Sequence, residues 1–273
     1  MLATVIATRG SSYRKPGARM LVTTQGWQAG SISGGCLEAD VVRRAAWLVE
    51  QGKPIVHTWD TSADGDVALG CGGELDVLLE PFSAGGAAAC ALIEVVEARK
   101  SVQLTVMEGH VETLRPSFRL VLCGAGHDAL PLHSMASSLG WDVHVVDWRP
   151  AHAAAARFPG ATTHVLALEG LPKLPLEEHC AVVVMSHHLS YDARVLEVVL
   201  QSPLPAYIGV LGPTKRTQVL LAMLPKELPL ARLHAPVGLA LGGEAPASIA
   251  LAILAEVHAA LHGASGAPMT HWG

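Results

Sequence analysis

A chain of 273 residues, half of them hydrophobic and 16% charged, can bury a real core, yet its apolar segments stay short of the ~20 residues that span a bilayer. The formal net charge of -5 at pH 7 lacks the basic face that general nucleic-acid affinity needs, which leaves small molecules or proteins as partners. Five cysteines, an odd number with no C-x-x-C pair, fit neither a disulfide framework nor a structural zinc site and make a reducing cytoplasm the natural setting.

Arg9, Arg14, Lys15 and Arg19 stand in the first twenty residues with no acid, as in a transit peptide. Residues 2–8, however, are rich in Thr, Val and Ile and run into glycines and a proline, so they read as a strand entering a loop. With a second strand at 20–24, the four cations crowd one connection. Such a loop either holds a phosphate or carboxylate through Arg forks and glycine amides, or is a solvated hairpin loop. A third strand from Trp27 to Ser33 leads through Gly34 and Gly35 to Cys36, where the spacing of Leu37, Val41, Ala45 and Leu48 predicts a helix over 37–51. Cys36 then occupies the helix cap, whose positive end favours the thiolate. A strand over 54–60 and a polar loop precede Gly70-Cys71-Gly72-Gly73 and an alternating strand over 74–80. Glycines on both sides let a ligand approach the sulfur and the backbone together, while the plain alternative for Cys36 and Cys71 is that of small buried hydrophobes. Cys90, Cys123 and Cys180 read as core residues. A helix within 86–100 bridges toward two short strands at 102–107 and 110–114.

The best-specified stretch runs from Phe118 to Pro150. An apolar run of buried-strand length is followed at once by Gly124-Ala125-Gly126, a helix, and a second strand ending at Asp147. In this pattern Gly124 permits the tight turn, Gly126 lets a pyrophosphate come close, Ala129 takes the third small position, and Asp147 is placed to accept from a ribose diol, with Arg149 able instead to serve a phosphate. The same turn can also be kept for packing alone. Strands at 163–168, 181–186 and 206–211 alternate with helices at 191–201 and 215–224, which predicts a parallel sheet covered on both faces. His127, Ser186-His187-His188 and Gly212-Pro213-Thr214-Lys215 then fall at one rim, His187 and His188 as ligands, acid–base groups or turn residues. An apolar helix over 246–261 packs in the core or against another copy of the chain. The fold class is therefore α/β: a C-terminal Rossmann-like parallel sheet over 116–273 and a smaller N-terminal α+β domain over 1–115.

These residues resemble the xanthine dehydrogenase accessory proteins, XdhC/CoxI. The likeness rests on Ala3-Thr4-Val5, Gly10-Ser11-Ser12, Pro16 to Met20, Gly34 to Glu38 and Leu69 to Gly73, then on Cys123 to Ala129, Val146-Asp147, Tyr207 to Gly212 and Pro236 to Leu239. It implies a maturation chaperone that binds the molybdenum cofactor, as molybdopterin or its dinucleotide form, while a cysteine desulfurase supplies the terminal sulfur, and delivers it to an apo-molybdoenzyme of the xanthine dehydrogenase type. On that reading Arg14, Lys15, Arg19, Gly34, Gly35, Cys36, Cys71, Gly72, Gly124, Gly126, His127, Asp147 and His187 form the cofactor site, with Cys36 and Cys71 as molybdenum contacts. Neither a nucleic acid nor a membrane is expected as a partner; a homodimer is. The alternatives are an NAD(P)-dependent oxidoreductase and a docking scaffold without bound cofactor. The sequence departs from the family in lacking a leading helix, which implies either a truncated start or a neighbouring chain that covers that edge. It also has Tyr13 where proline is frequent, and His188 and Ala240 where acids are common.

Overall fold

The computed structural model describes residues 1–61, 73–107 and 110–268. The chain divides into two compact units, Met1–Pro116 and Ser117–Gly273. Among the described residues no helix is long and apolar enough to cross a membrane.

In the first unit, β1 (Leu2–Gly10) is the central strand of five, in an antiparallel sheet with β2 (Arg19–Thr23), β3 (Gly26–Gly30), β4 (Ile55–Asp60) and β5 (Gly73–Glu80), in the order β3-β2-β1-β5-β4. Alternate side chains share a face. Ala3 and Val5, Met20 and Val22, and Leu75, Val77 and Leu79 gather with Trp59 against Leu37 and the residues Val41 and Ala45 of α1 (Glu38–Gln51). Each fully buried aliphatic chain of this kind contributes about 1.5–3 kcal/mol, so packing rather than propensity holds α1 in place. The indole N–H of buried Trp59 donates to Asp40 Oδ2 of α1 at 2.9 Å, which fixes the helix along its axis. A second, smaller core joins Ala91 and Val95 of α2 (Ala87–Glu97) to Leu104 and Leu114 of the hairpin β6 (Val102–Met107) and β7 (His110–Leu114). Cys90 was expected in the core and is instead exposed, because the packed stripe of α2 runs through Ala88, Ala91, Leu92 and Val95 and passes it by.

The second unit is a six-stranded sheet of β8 (Arg119–Cys123), β9 (Asp142–Asp147), β10 (Thr162–Val165), β11 (Cys180–Val184), β12 (Pro205–Val210) and β13 (Leu233–His234), all neighbours parallel, in the order β10-β9-β8-β11-β12-β13. Successive residues of β8 serve opposite faces. Leu120 and Leu122 pack with α3 (Ala129–Ser138) and α6 (Pro246–Leu261), while Val121 and Cys123 pack with α4 (Leu189–Gln201), and α5 (Thr214–Ala222) adds Leu220 to that second core. Burial on both sides explains why the strand is a continuous apolar run rather than an alternating one. The order reverses between β8 and β11, and in open parallel sheets ligands bind at that switch point, beyond the carboxyl ends of the strands. Thr162–Val165 is shorter than the strand expected there, because a 3₁₀ turn over Leu168–Lys173 takes the chain away from the sheet.

Candidate functional site

At the switch point two connections meet, and Gly124 decides how closely. It has φ of +129°, and a Cβ there would lie 2.4 Å from Ser186 N and 2.5 Å from the Met185 carbonyl carbon. Only glycine allows both the turn and the contact. Gly126 is different: a Cβ built on it meets nothing within 4 Å. The turn is held from below by Asp147, which is sealed from solvent. Its Oδ2 accepts from Ala125 N at 2.9 Å and Arg149 Nη2 at 2.8 Å, and its Oδ1 accepts from Arg149 N and Nε, each at 2.9 Å. Burial by itself would raise the Asp147 pKa, but the Arg149 guanidinium and the two amides outweigh it and hold the carboxyl below its usual range. Its lone pairs are thus already committed, so the ribose contact expected of Asp147 would require displacing Arg149.

Arg157, which the sequence did not single out, donates from Nη1 to the Ala125 carbonyl at 2.7 Å and to the His152 carbonyl at 2.6 Å, placing a guanidinium beside the glycine turn. Across the crevice His187 takes φ of +61°, unusual for a residue with a Cβ, and its Nε2 lies 3.4 Å from Asp128 Oδ2. Asp128 stands at the N-cap of α3 without making a side-chain cap bond, and His127 beside it is exposed. Behind His187, buried Asp192 accepts from the Ser186 hydroxyl and from Arg216 Nη2 at 2.6 Å, which fixes the second connection. Gly124, Gly126, His127, Asp147 and His187 therefore do share one rim, joined by Arg157.

The first unit assembles a different cluster around Glu38. Its Oε1 accepts from Ser31 Oγ, Ile32 N and Ser33 N at 2.8, 3.1 and 2.9 Å, and its Oε2 from Ser33 Oγ and from Gly35 N at 3.0 Å. Ser33 Oγ in turn accepts from Cys36 N at 3.1 Å and Leu37 N at 3.0 Å. These bonds draw residues 31–33 out of the sheet and end the third strand at Gly30, not at Ser33 as expected. Burial tends to raise the Glu38 carboxyl, but the hydroxyl and amide donors prevail and lower it to about 2. The carbonyl of Leu37 accepts the first helical bond, from Val41 N, so Leu37 is the cap and Cys36 stands one residue outside it. The thiol is exposed, and the positive end of α1 is already neutralised by Glu38. Arg14 Nε donates to the Ser33 carbonyl at 3.2 Å, and the ring of Tyr13 would lie 3.1 Å from a Cβ on Gly34, which brings Arg14, Gly34, Gly35 and Cys36 together.

The cationic loop divides its charges. Arg9 pairs with Glu74 and Asp76, and Arg19 forks Glu112, so neither is presented to an incoming anion; Lys15 is exposed. Cys71 and Gly72 lie outside the described residues. The next residue, Gly73, packs against the loop, since a Cβ there would lie 2.1 Å from the Ser11 carbonyl oxygen. Cys123 and Cys180 are buried core thiols, and burial pushes both pKa values up, away from reactivity. Among the described residues no group of three or more His, Cys, Asp or Glu side chains is set to hold a metal ion.

Comparison with known proteins gives this arrangement a family. The model of the XdhC Rossmann domain matches residues 120–257, and that of the XdhC and CoxI family matches residues 1–60. A probable xanthine dehydrogenase component from Bacillus subtilis is 30% identical, covering 94% of this chain and 92% of that protein. The chain belongs to the XdhC and CoxI family. Its XdhC Rossmann domain contains Gly124, Asp147 and Arg157, and its N-terminal family segment contains the Glu38 cluster. The molybdenum cofactor insertion chaperone PaoD from Escherichia coli is 27% identical, covering 94% of this chain and 82% of its own length. A crystal structure of a xanthine dehydrogenase from Bacillus halodurans superposes with a TM-score of 0.83 at 30% identity, covering 96% of this chain and 91% of that one.

The XdhC Rossmann domain also has a feature that sequence reading missed. Trp148, Ala167, Leu168, Glu169, His188 and Tyr191 line a cavity of about 230 Å³. Trp148 and Tyr191 have ring centroids 4.5 Å apart, His188 lies 5.2 Å from Trp148, and the Arg149 guanidinium sits 4.4 Å from the Trp148 ring centroid. His188 Nδ1 accepts from Tyr191 N at 3.3 Å, so this residue caps α4 and adds a ring to the wall. The tyrosine hydroxyl donates to the Leu166 carbonyl at 2.9 Å. The cavity could not be read along the chain because its walls come from the end of β9, the connection after β10 and the start of α4.

Proposed function

We propose that the protein is a maturation chaperone for the molybdenum cofactor: it binds the cofactor, protects it while a cysteine desulfurase supplies the terminal sulfur, and passes it to an apo-molybdoenzyme of the xanthine dehydrogenase type. The observation that carries this reading is the glycine turn, where Gly126 leaves room for a phosphate next to a guanidinium, that of Arg157, already anchored on the turn. The name of the PaoD relative supports the class of cargo, and the likeness to the probable xanthine dehydrogenase component of Bacillus subtilis supports the class of client. The exposed Cys36 thiol suits a soft metal–sulfur centre, with Cys71 as its proposed second contact and Arg14 and Lys15 as cations for the anionic cargo. A homodimer in the cytoplasm is part of the same proposal.

The test is the protein isolated from cells that make the cofactor, with molybdenum measured by mass spectrometry and pterin by fluorescence after oxidation. Near-stoichiometric pterin is expected, falling about tenfold in Arg157→Ala, which removes a charge-assisted contact. Bound NAD(P) without pterin would overturn the reading in favour of an oxidoreductase. Molybdenum retained in full by both Cys36→Ser and Cys71→Ser would end the ligand role of the thiols and leave the phosphate site standing.

A further inference from the structure

The aromatic cavity beside the glycine turn has no assigned role. A cavity of about 150 Å³ accepts benzene, and about 230 Å³ lined by Trp148, His188 and Tyr191 is enough for a larger flat ring. Its position fixes what the ring is attached to. Trp148 follows Asp147, and Asp147 bonds the Ala125 amide within the turn. The order from the glycine turn outward is therefore a phosphate position, a polar section at Asp147 and Arg149, and then stacking surfaces, which is the order of parts in a nucleotide. Glu169 at the lining contributes a carboxylate, an acceptor, and His188, whose Nδ1 accepts from Tyr191 N, carries its proton on Nε2 as a donor.

We infer that this cavity is a nucleobase subsite, that it takes a base bearing an exocyclic amino group, and that the cargo is consequently the dinucleotide form of the cofactor. The inference rests on the chaperone reading for its cargo, but the subsite itself makes a claim about nucleotides alone. Stacking on aromatic side chains is sequence-tolerant and strong enough to improve binding by about 10–100-fold. Glu169 adds the preference for an amino group over a keto oxygen at the same edge.

The experiment titrates the full chain with CMP, UMP, ribose 5-phosphate and neopterin monophosphate by ligand-observed nuclear magnetic resonance. CMP is expected to bind about 10–100-fold tighter than ribose 5-phosphate and several-fold tighter than UMP. Leu168→Arg places a long side chain at the cavity from a residue that is 43% exposed, so it leaves the core intact and should reduce CMP to the ribose 5-phosphate value. Trp148→Ala should do the same, and Trp148→Phe should keep part of the gain. Equal binding of CMP and ribose 5-phosphate, or a CMP preference untouched by Leu168→Arg, overturns the subsite. Binding of neopterin monophosphate tighter than CMP, and lost in Leu168→Arg, assigns the cavity to a pterin and overturns the nucleobase. UMP binding as well as CMP overturns the amino-group preference. A chain that copurifies with pterin yet shows no base preference loses the subsite and keeps the chaperone reading; a chain with base preference that never carries pterin does the reverse.

Discussion

Replacing Gly124 by alanine separates the two duties of the glycine turn. At φ of +129° an added Cβ is strained by about 1–3 kcal/mol. That Cβ would also lie 2.4 Å from Ser186 N and 2.5 Å from the Met185 carbonyl carbon, both backbone atoms that no rotamer change can move, and such overpacking costs a further 1–3 kcal/mol or so. A loss of about 3–5 kcal/mol is expected, a large part of the roughly 5–15 kcal/mol by which domains are stable. Hydrogen exchange of the β8 and β11 amides reads this unit directly, and their protection should fall by about two to four orders of magnitude. Gly126→Ala is the control in the same motif. Its Cβ meets nothing within 4 Å, so protection should stay within about 0.5 kcal/mol of the parent. Gly124→Ala losing less than about 1 kcal/mol, or the two variants losing equally, would refute the division of labour between the glycines.

Glu38→Ala removes the acceptor for five donors, and a loss of about 2–4 kcal/mol is expected in thermal unfolding, partly restored by Glu38→Gln. With a folded-state pKa of about 2, Glu38 contributes stability that is present above its unfolded value of about 4.3 and is lost as pH falls toward 2; a urea midpoint of the first unit that does not fall over this range would contradict it. His144 and His164 lie 2.9 Å apart, and burial first, then Arg119, lowers both pKa values. Their contribution is present above the unfolded value of about 6.5 and is lost as pH falls below it, so the urea midpoint of the second unit should drop between about pH 7.5 and 5.5 and drop less in His144→Asn. Asp147→Asn strips the charge from a sealed carboxylate and strands the Arg149 guanidinium, at an expected cost of about 3 kcal/mol by denaturant unfolding, where a neutral result would mean that the ion pair is dispensable.

The parts of the fold that could be read from the chain were those where local and tertiary signals agree. An apolar run buried on both faces, an immediate glycine pair and a terminal acid made β8, α3 and β9 legible, and a long run apolar nearly all round placed α6 at Pro246–Leu261. Where a side chain reaches back to the backbone, the reading failed. Glu38 ends the third strand early, and the cap position expected of Cys36 falls to Leu37, whose approach Ser33 holds; the one available signal was Ser31 and Ser33 lying a short distance before an acid at a helix start. Arg157 gave no signal, since a lone arginine between two strands carries none. Asp147 was correctly placed at the strand end, but Arg149, read only as an alternative partner for a phosphate, is the residue that occupies it.

Because Glu38 acts as a built-in counter-ion for the start of α1, inorganic phosphate in a buffer finds no vacancy there to contest. The pull on an anion near Cys36 therefore falls to the exposed Arg14 and Lys15, and raising the ionic strength should weaken it as it weakens whatever the Arg157 guanidinium attracts.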